Sequence, residues 1–183
     1  MAIRQIHTYP SPVLKDAATP VTEIDGMVAT LLEDMAETMY AAPGIGLAAP
    51  QVGVGHRVIV LDVPGPDESQ GRRLLKLINP EITHREGSII WEEGCLSVPD
   101  FTAPVKRSQR ILVKAWTTDQ REIEIEAEEL LAVALQHEID HLEGRLFLDR
   151  LSRLKRDLYK ARQRKLDRQG RESGSSSPKR PIL

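Results

Sequence analysis

Glu122-Ile123-Glu124-Ile125-Glu126-Ala127-Glu128-Glu129-Leu130-Leu131-Ala132-Val133-Ala134-Leu135-Gln136-His137-Glu138-Ile139-Asp140-His141-Leu142 changes its period part-way along. As far as residue 127, apolar and acidic residues alternate strictly, the pattern of a strand with one buried face. From about residue 128 to 142 the alternation gives way to an apolar stripe over Leu130, Leu131, Val133, Ala134 and Leu135, which suits a helix that Gly144 ends. The same two periods recur upstream. Met27, Leu31, Leu32, Met35 and Met39 stand at helical spacing between residues 25 and 42, where Pro43-Gly44 stops the pattern. Short β-branched runs at residues 57–63, 74–78, 88–91 and 110–116 read as further antiparallel strands, and the turn-rich stretch 64–71 as a hairpin loop. The fold predicted is α+β, with antiparallel sheets packed around a central helix in one domain.

Length and composition agree. A chain of 183 residues with 40% hydrophobic and 28% charged residues can build one packed core. Residues 1–7 lack the apolar run of a signal peptide, and the longest apolar run, 130–135, is far too short to span a bilayer. A cytoplasmic protein without membrane attachment is expected. The net charge of −2 conceals two regions: residues 1–149 carry 13 Lys+Arg against 24 Asp+Glu, and residues 150–183 carry 12 against 3. We therefore divide the chain into an acidic body (1–150), a basic helix (151–168) with Leu151, Leu154, Leu158 and Ala161 at helical spacing, and a disordered Gly/Ser/Pro-rich tail (169–183).

The helix of the opening stretch carries His137-Glu138-Ile139-Asp140-His141. Residues four apart share a helical face, so both imidazoles reach one metal ion while Glu138 can touch a water beside it. From the 5 His and 16 Glu of this chain, such a pattern arises by chance in about one sequence in a hundred. Two solvated histidines with a local ion pair remain the plain alternative. A catalytic metal site usually has three protein ligands. Cys95, the single cysteine, is a core residue, a nucleophile or the third ligand. Its setting, Glu92-Glu93-Gly94-Cys95-Leu96-Ser97-Val98-Pro99, is unlike a plain core strand, and Gly94 offers a backbone turn that aims the thiolate at the helix. A third segment, Gly44-Ile45-Gly46-Leu47-Ala48-Ala49-Pro50-Gln51, is either a packing turn or a backbone approach to a bound peptide, with the Gln51 amide as a donor to an oxyanion. It lacks the Lys-Ser/Thr of a phosphate loop.

Together, Gly44 to Gln51, Glu93-Gly94-Cys95-Leu96-Ser97 and Gln136 to His141 resemble the three signature motifs of the peptide deformylases, in the family's order and spacing. The resemblance spans residues 3 to 150, including Ile6-His7-Thr8-Tyr9-Pro10-Ser11-Pro12-Val13-Leu14 and the loop near Pro66. It implies a bacterial or organellar hydrolase that removes the formyl group from nascent chains beginning with formylmethionine. By the same resemblance, Cys95, His137 and His141 hold the metal and Glu138 is general base and acid. Gln51 and the Leu96 backbone N–H hold the oxyanion, and Gly46 and Gly94 pair with the substrate backbone. Ile45, Leu130, Val133 and Ala134 line the methionine pocket. The implied metal is Fe(II), replaceable by zinc, nickel or cobalt, although two His and one Cys by ligand rules alone suggest zinc. After Pro99 the family's rim arginine is absent, and Lys106 and Arg107 are the basic residues nearest that position.

Two other readings compete. A general H-E-x-x-H metallopeptidase would take its third ligand from a downstream His or Glu, whereas here Glu143 lies only two residues past His141. A nucleic-acid-binding module is suggested by the basic carboxy-terminal region, but the acidic body and lack of interleaved aromatics oppose it. A combined reading has the basic helix docking on the ribosome near the nascent-chain exit, with the enzyme a monomer or weak dimer.

Overall fold

The computed structural model describes residues 2–64 and 74–173. Its helices are α1 (Gly26–Ala41), α2 (Glu129–Leu142) and α3 (Arg153–Ser173); its strands are β1 (Gly46–Ala48), β2 (Val58–Leu61), β3 (Leu75–Glu86), β4 (Ile89–Cys95), β5 (Val98–Arg107), β6 (Arg110–Trp116) and β7 (Glu122–Glu128). The strands form a five-stranded sheet, β1-β2-β3-β6-β7, and a separate β4–β5 hairpin, all antiparallel. The α+β expectation holds.

Strand alternation explains the layering. In β2, Val58 and Val60 pack with Leu32, Met35 and Met39 of α1, while Ile59 and Leu61 pack with Leu135, Ile139 and Leu142 of α2. The two helices therefore cover opposite faces of the sheet. Ile111, Val113, Ala115 and Ala127 extend the α2 side. Every residue of α2 from Ala132 to Leu142 is buried, its histidines and acids included. Asp25 caps α1 by accepting from the N–H groups of Met27 and Val28. Beyond α2, Gly144 adopts φ +68°, and a Cβ there would strike the Lys15 carbonyl oxygen.

The differences from the sequence reading have local causes. β3 runs to Glu86 instead of ending at residue 78, because Asn79 (φ 50°) and Pro80 are absorbed by a register shift between Ile78 and Glu81. β1 and β5 were not anticipated. β1 has only three residues, and β5 contains Pro99 and Pro104, which a strand with a free edge tolerates. Of the expected loop at 64–71, all but Pro64 lies outside the described residues. The basic helix begins at Arg153 and continues to Ser173, into the stretch expected to be disordered from 169, since each residue added to a formed helix gains a backbone hydrogen bond without needing burial. Residues 174–183 lie outside the described residues. The buried anchors of this region are Leu151 and Tyr159, packed with Phe147, Tyr9 and Phe101, whereas Leu154 and Leu158 are 71% and 62% exposed. Of the apolar stripe read from the sequence, only Leu151 is buried, and Tyr159 takes the place of the others.

Candidate metal centre

His137 and His141 lie one helical turn apart on α2. Cys95 is the last residue of β4, and the two-residue turn Leu96-Ser97 returns the chain to Val98, its partner across the hairpin. This turn delivers Sγ to the buried histidine face. Cys95 Sγ is 3.2 Å from His141 Nε2, the two Nε2 atoms are 3.3 Å apart, and the three ligand atoms lie within 4.8 Å of one another. The backbone turn expected at Gly94 is a bulge between Glu93 and Cys95, which aims the thiol; among the described residues the glycines at positive φ are Gly53, Gly87 and Gly144.

Glu93, which the sequence reading left without a role, orients the first imidazole. His137 Nδ1–H donates to Glu93 Oε2 at 2.8 Å, which turns Nε2 toward Cys95 and His141, where it would offer its lone pair to a metal on losing its own proton. Arg107 in turn donates from Nε to Glu93 Oε1 at 2.6 Å, from Nη2 to Oε2 at 2.9 Å, and from Nη1 to Asp140 Oδ2. Arg150 clasps Asp140 from the other side through Nε and Nη2. Arg107 is therefore not a rim residue: its side chain is 0% exposed inside this network. It follows the inward positions Ala103 and Val105 of β5, a signal legible once β5 is recognised as a strand. Burial opposes ionisation of Glu93 and Asp140, but the arginines, with His137 for Glu93, outweigh it and hold both carboxyls below their ordinary range.

The donor set fits a divalent metal ion. Ligand nitrogens about 2.05 Å from a tetrahedral ion lie about 3.3 Å apart, the separation of the two Nε2 atoms. The Ser97 N–H at 3.4 Å and Gln51 Nε2 at 3.6 Å both donate toward Cys95 Sγ, which suits a thiolate. Burial works against the charged form of either imidazole. At His137 the Cys95 charge and the hydrogen bonds to Cys95 and Glu93 prevail and hold its pKa well above the usual value; at His141 burial and the neighbouring His137 push it well below.

The polypeptide deformylase family model matches residues 3–157. Over 165 residues the chain is 53% identical to the peptide deformylase of Syntrophobacter fumaroxidans, covering 90% of this chain and 96% of that protein. The chain belongs to the polypeptide deformylase family. Solved deformylases share its fold. The crystal structure from Legionella pneumophila matches with TM-score 0.84 and 43% identity over 96% of this chain and 100% of that one. The Ehrlichia chaffeensis enzyme, in complex with actinonin, matches with TM-score 0.85 and 39% identity, covering 92% and 99%. Deformylases are metal-dependent hydrolases that remove N-formyl groups from nascent peptides.

The remaining deformylase-motif residues gather around the ligands. Glu138 is buried, Oε2 has no hydrogen-bond partner, and its carboxyl is pushed up to about 7, chiefly by burial. A Cβ on Gly46 would clash with Glu138 Oε1, so the glycine leaves the carboxylate its space. Gln51 is 1% exposed; its Oε1 accepts from the Ala48 N–H at 2.8 Å and its Nε2 donates to Ser97 Oγ at 3.1 Å. β1, with Gly46, and β4, with Gly94, each have a partner on one side only, so each presents a free strand edge. Leu130, Val133 and Ala134 precede His137 on its face of α2. Ala134 and Ile45 belong to the core on the α2 side, whereas Leu130 and Val133 join none of the three core clusters.

Among the described residues, no helix is long and apolar enough to cross a membrane.

Proposed function

We propose that this chain hydrolyses the formyl amide of N-formylmethionyl nascent peptides in the cytoplasm. The observation that carries the reading is the convergence of three ligand atoms with the unpartnered, proton-accepting Glu138 beside two free strand edges. Cys95, His137 and His141 would hold a divalent metal ion, which would supply Lewis acidity to the reaction. Glu138 takes a proton as water adds to the formyl carbon and returns it to the amine as the C–N bond breaks, releasing formate. Gln51 Nε2 and the Leu96 N–H donate to the tetrahedral oxyanion, each contributing about 3 kcal/mol. The peptide main chain adds to the edges at Gly46 and Gly94, which tolerates varied sequences, and the methionine enters a pocket of Ile45, Leu130, Val133 and Ala134. We assign Fe(II) as the physiological metal, supported by the family resemblance, with zinc, nickel or cobalt as substitutes; the thiolate beside a ferrous ion makes the centre oxygen-sensitive. All of these groups come from one chain, which supports a monomer or at most a weak dimer. The test is anaerobic formate release from a short formyl-methionyl peptide by Fe(II)-loaded protein. Glu138→Gln keeps its metal and loses turnover. Cleavage of a longer internal peptide, or normal turnover by that variant, overturns the assignment.

We further propose that α3 docks on the ribosome near the nascent-chain exit. The support is its outward face, where Leu154 and Leu158 stand exposed among Lys155, Arg162 and Arg164. Because Tyr159 is a core anchor, truncation would disturb the body. Changing Lys155, Arg162 and Arg164 to Ser should instead weaken ribosome co-sedimentation, less so at high salt, and spare turnover of a short peptide. Unchanged co-sedimentation refutes docking.

A further inference from the structure

A second cleft, of about 260 Å³, opens where the β3–β4 turn, the β5–β6 turn, α2 and Arg150 meet. Four of its eight lining residues, Arg85, Lys106, Arg107 and Arg150, are basic, and none is acidic. This contrasts with the body around it, where acids outnumber bases by 24 to 13 over residues 1–149. Arg107 is fully engaged by Glu93 and Asp140. Arg150 spends Nε and Nη2 on Asp140 and keeps Nη1. Arg85 and Lys106 form no ion pair among the described residues. The wall is pre-set. Gln136, 3% exposed, accepts from Arg85 Nη1 at 3.1 Å and the Ser108 N–H at 3.0 Å, and donates to the Ser108 and Ala132 carbonyls. It thus fixes one guanidinium before any ligand arrives.

We propose that this cleft binds a phosphate dianion, free or as the terminus of a small phosphate monoester. Arg85, Lys106 and Arg150 bring donors from three separate side chains, and a tetrahedral dianion meets them with at least three oxygens and two charges, where a carboxylate has two coplanar oxygens and one charge. The volume admits the group and a small organic substituent. The site is independent of the deformylase reading. Its test is calorimetric titration of full-length, metal-loaded protein with inorganic phosphate and, in a parallel arm, glycerol phosphate, at fixed ionic strength. Saturable one-to-one binding is expected, weakened at least about tenfold by Arg85→Ala or Lys106→Ala and unaltered by Lys114→Ala. Arg85→Lys, which keeps the charge but loses the fork, should fall between. Tighter glycerol phosphate binding assigns the monoester, and tighter inorganic phosphate the free ion. Absence of saturation, or an affinity that Arg85→Ala and Lys106→Ala both leave unchanged while their melting temperatures match the parent, overturns the proposal, since the anion then sits elsewhere, as at the metal centre.

Discussion

Replacing Gly46 by alanine tests what that glycine is for. Its Cβ would clash with Glu138 Oε1 and stand 2.8 Å from Cδ and 3.0 Å from Cγ of the same side chain. To restore ordinary contact Cδ must retreat by at least about 0.6 Å, and the carboxylate oxygen further, into a closely packed interior. If Glu138 carries the proton as proposed, a misplacement of that order costs about 100-fold in kcat, or roughly 2.7 kcal/mol of barrier. Overpacking adds about 1–3 kcal/mol of destabilisation. The assay is steady-state formate release with metal content measured on the same sample; Gly26→Ala, whose Cβ would meet nothing within 4 Å, is the control. The expected result is a fall in kcat at full metal occupancy. If kcat stays within about threefold while KM rises steeply, Gly46 serves the substrate backbone alone and the steric argument fails. Loss of metal would show instead that the clash reaches the ligands.

Three further outcomes follow from the same geometry. Gly144→Ala should cost about 2–4 kcal/mol in chemical denaturation, because φ +68° is strained for alanine and the methyl meets the Lys15 backbone; a change under about 0.5 kcal/mol would refute it. Arg107→Met should cost about 3–5 kcal/mol, lowering the melting temperature by on the order of 10 °C, since among the described residues Glu93 loses its only arginine and Asp140 one of two. The folded-state pKa values of Glu93 and Asp140 lie below their ordinary 4.5 and 3.8, so the stability they confer is complete above about pH 5 and is lost as pH falls through the folded values. Urea midpoints between pH 5 and 3 should therefore drop more steeply in the parent than in Glu93→Gln.

The grouping of Cys95 with His137, Glu138 and His141 was legible because a helix fixes the spacing of the last three, and Cys95 had no competitor. Local pattern likewise located α1, β2, β6, β7 and α2, whose apolar periods are uninterrupted. It failed where long-range pairing overrides local signal: Asn79-Pro80 should end a strand, yet neighbours on both sides hold β3 through it. In β5, Pro99, Pro104 and a buried Arg107 hid the alternation. The inward turn of Tyr159 in preference to Leu154 and Leu158 depends on aromatic partners, Tyr9 and Phe101, that are distant in sequence.

Missing Arg107 meant missing why three charges are buried beside the candidate metal ligands, with a fourth, Arg150, one-third exposed at their edge. Glu93 and Asp140 against Arg107 and Arg150 sum to zero, and such a set is often no more stable than apolar residues of similar volume. Stability therefore does not explain its presence. Its distinguishing property is directional: an apolar replacement would leave His137 Nδ1–H without an acceptor, free to shift tautomer or rotate. Arg107 grips both Glu93 oxygens and so fixes the carboxylate plane that receives that proton, while Arg150 does the same for Asp140. A ligand held in one tautomer by a rigid acceptor is prepared for its metal before the metal binds. On this account Arg107→Met combined with Glu93→Leu should recover much of the lost stability and none of the lost metal affinity, and recovery of both would show that the network is scaffold only.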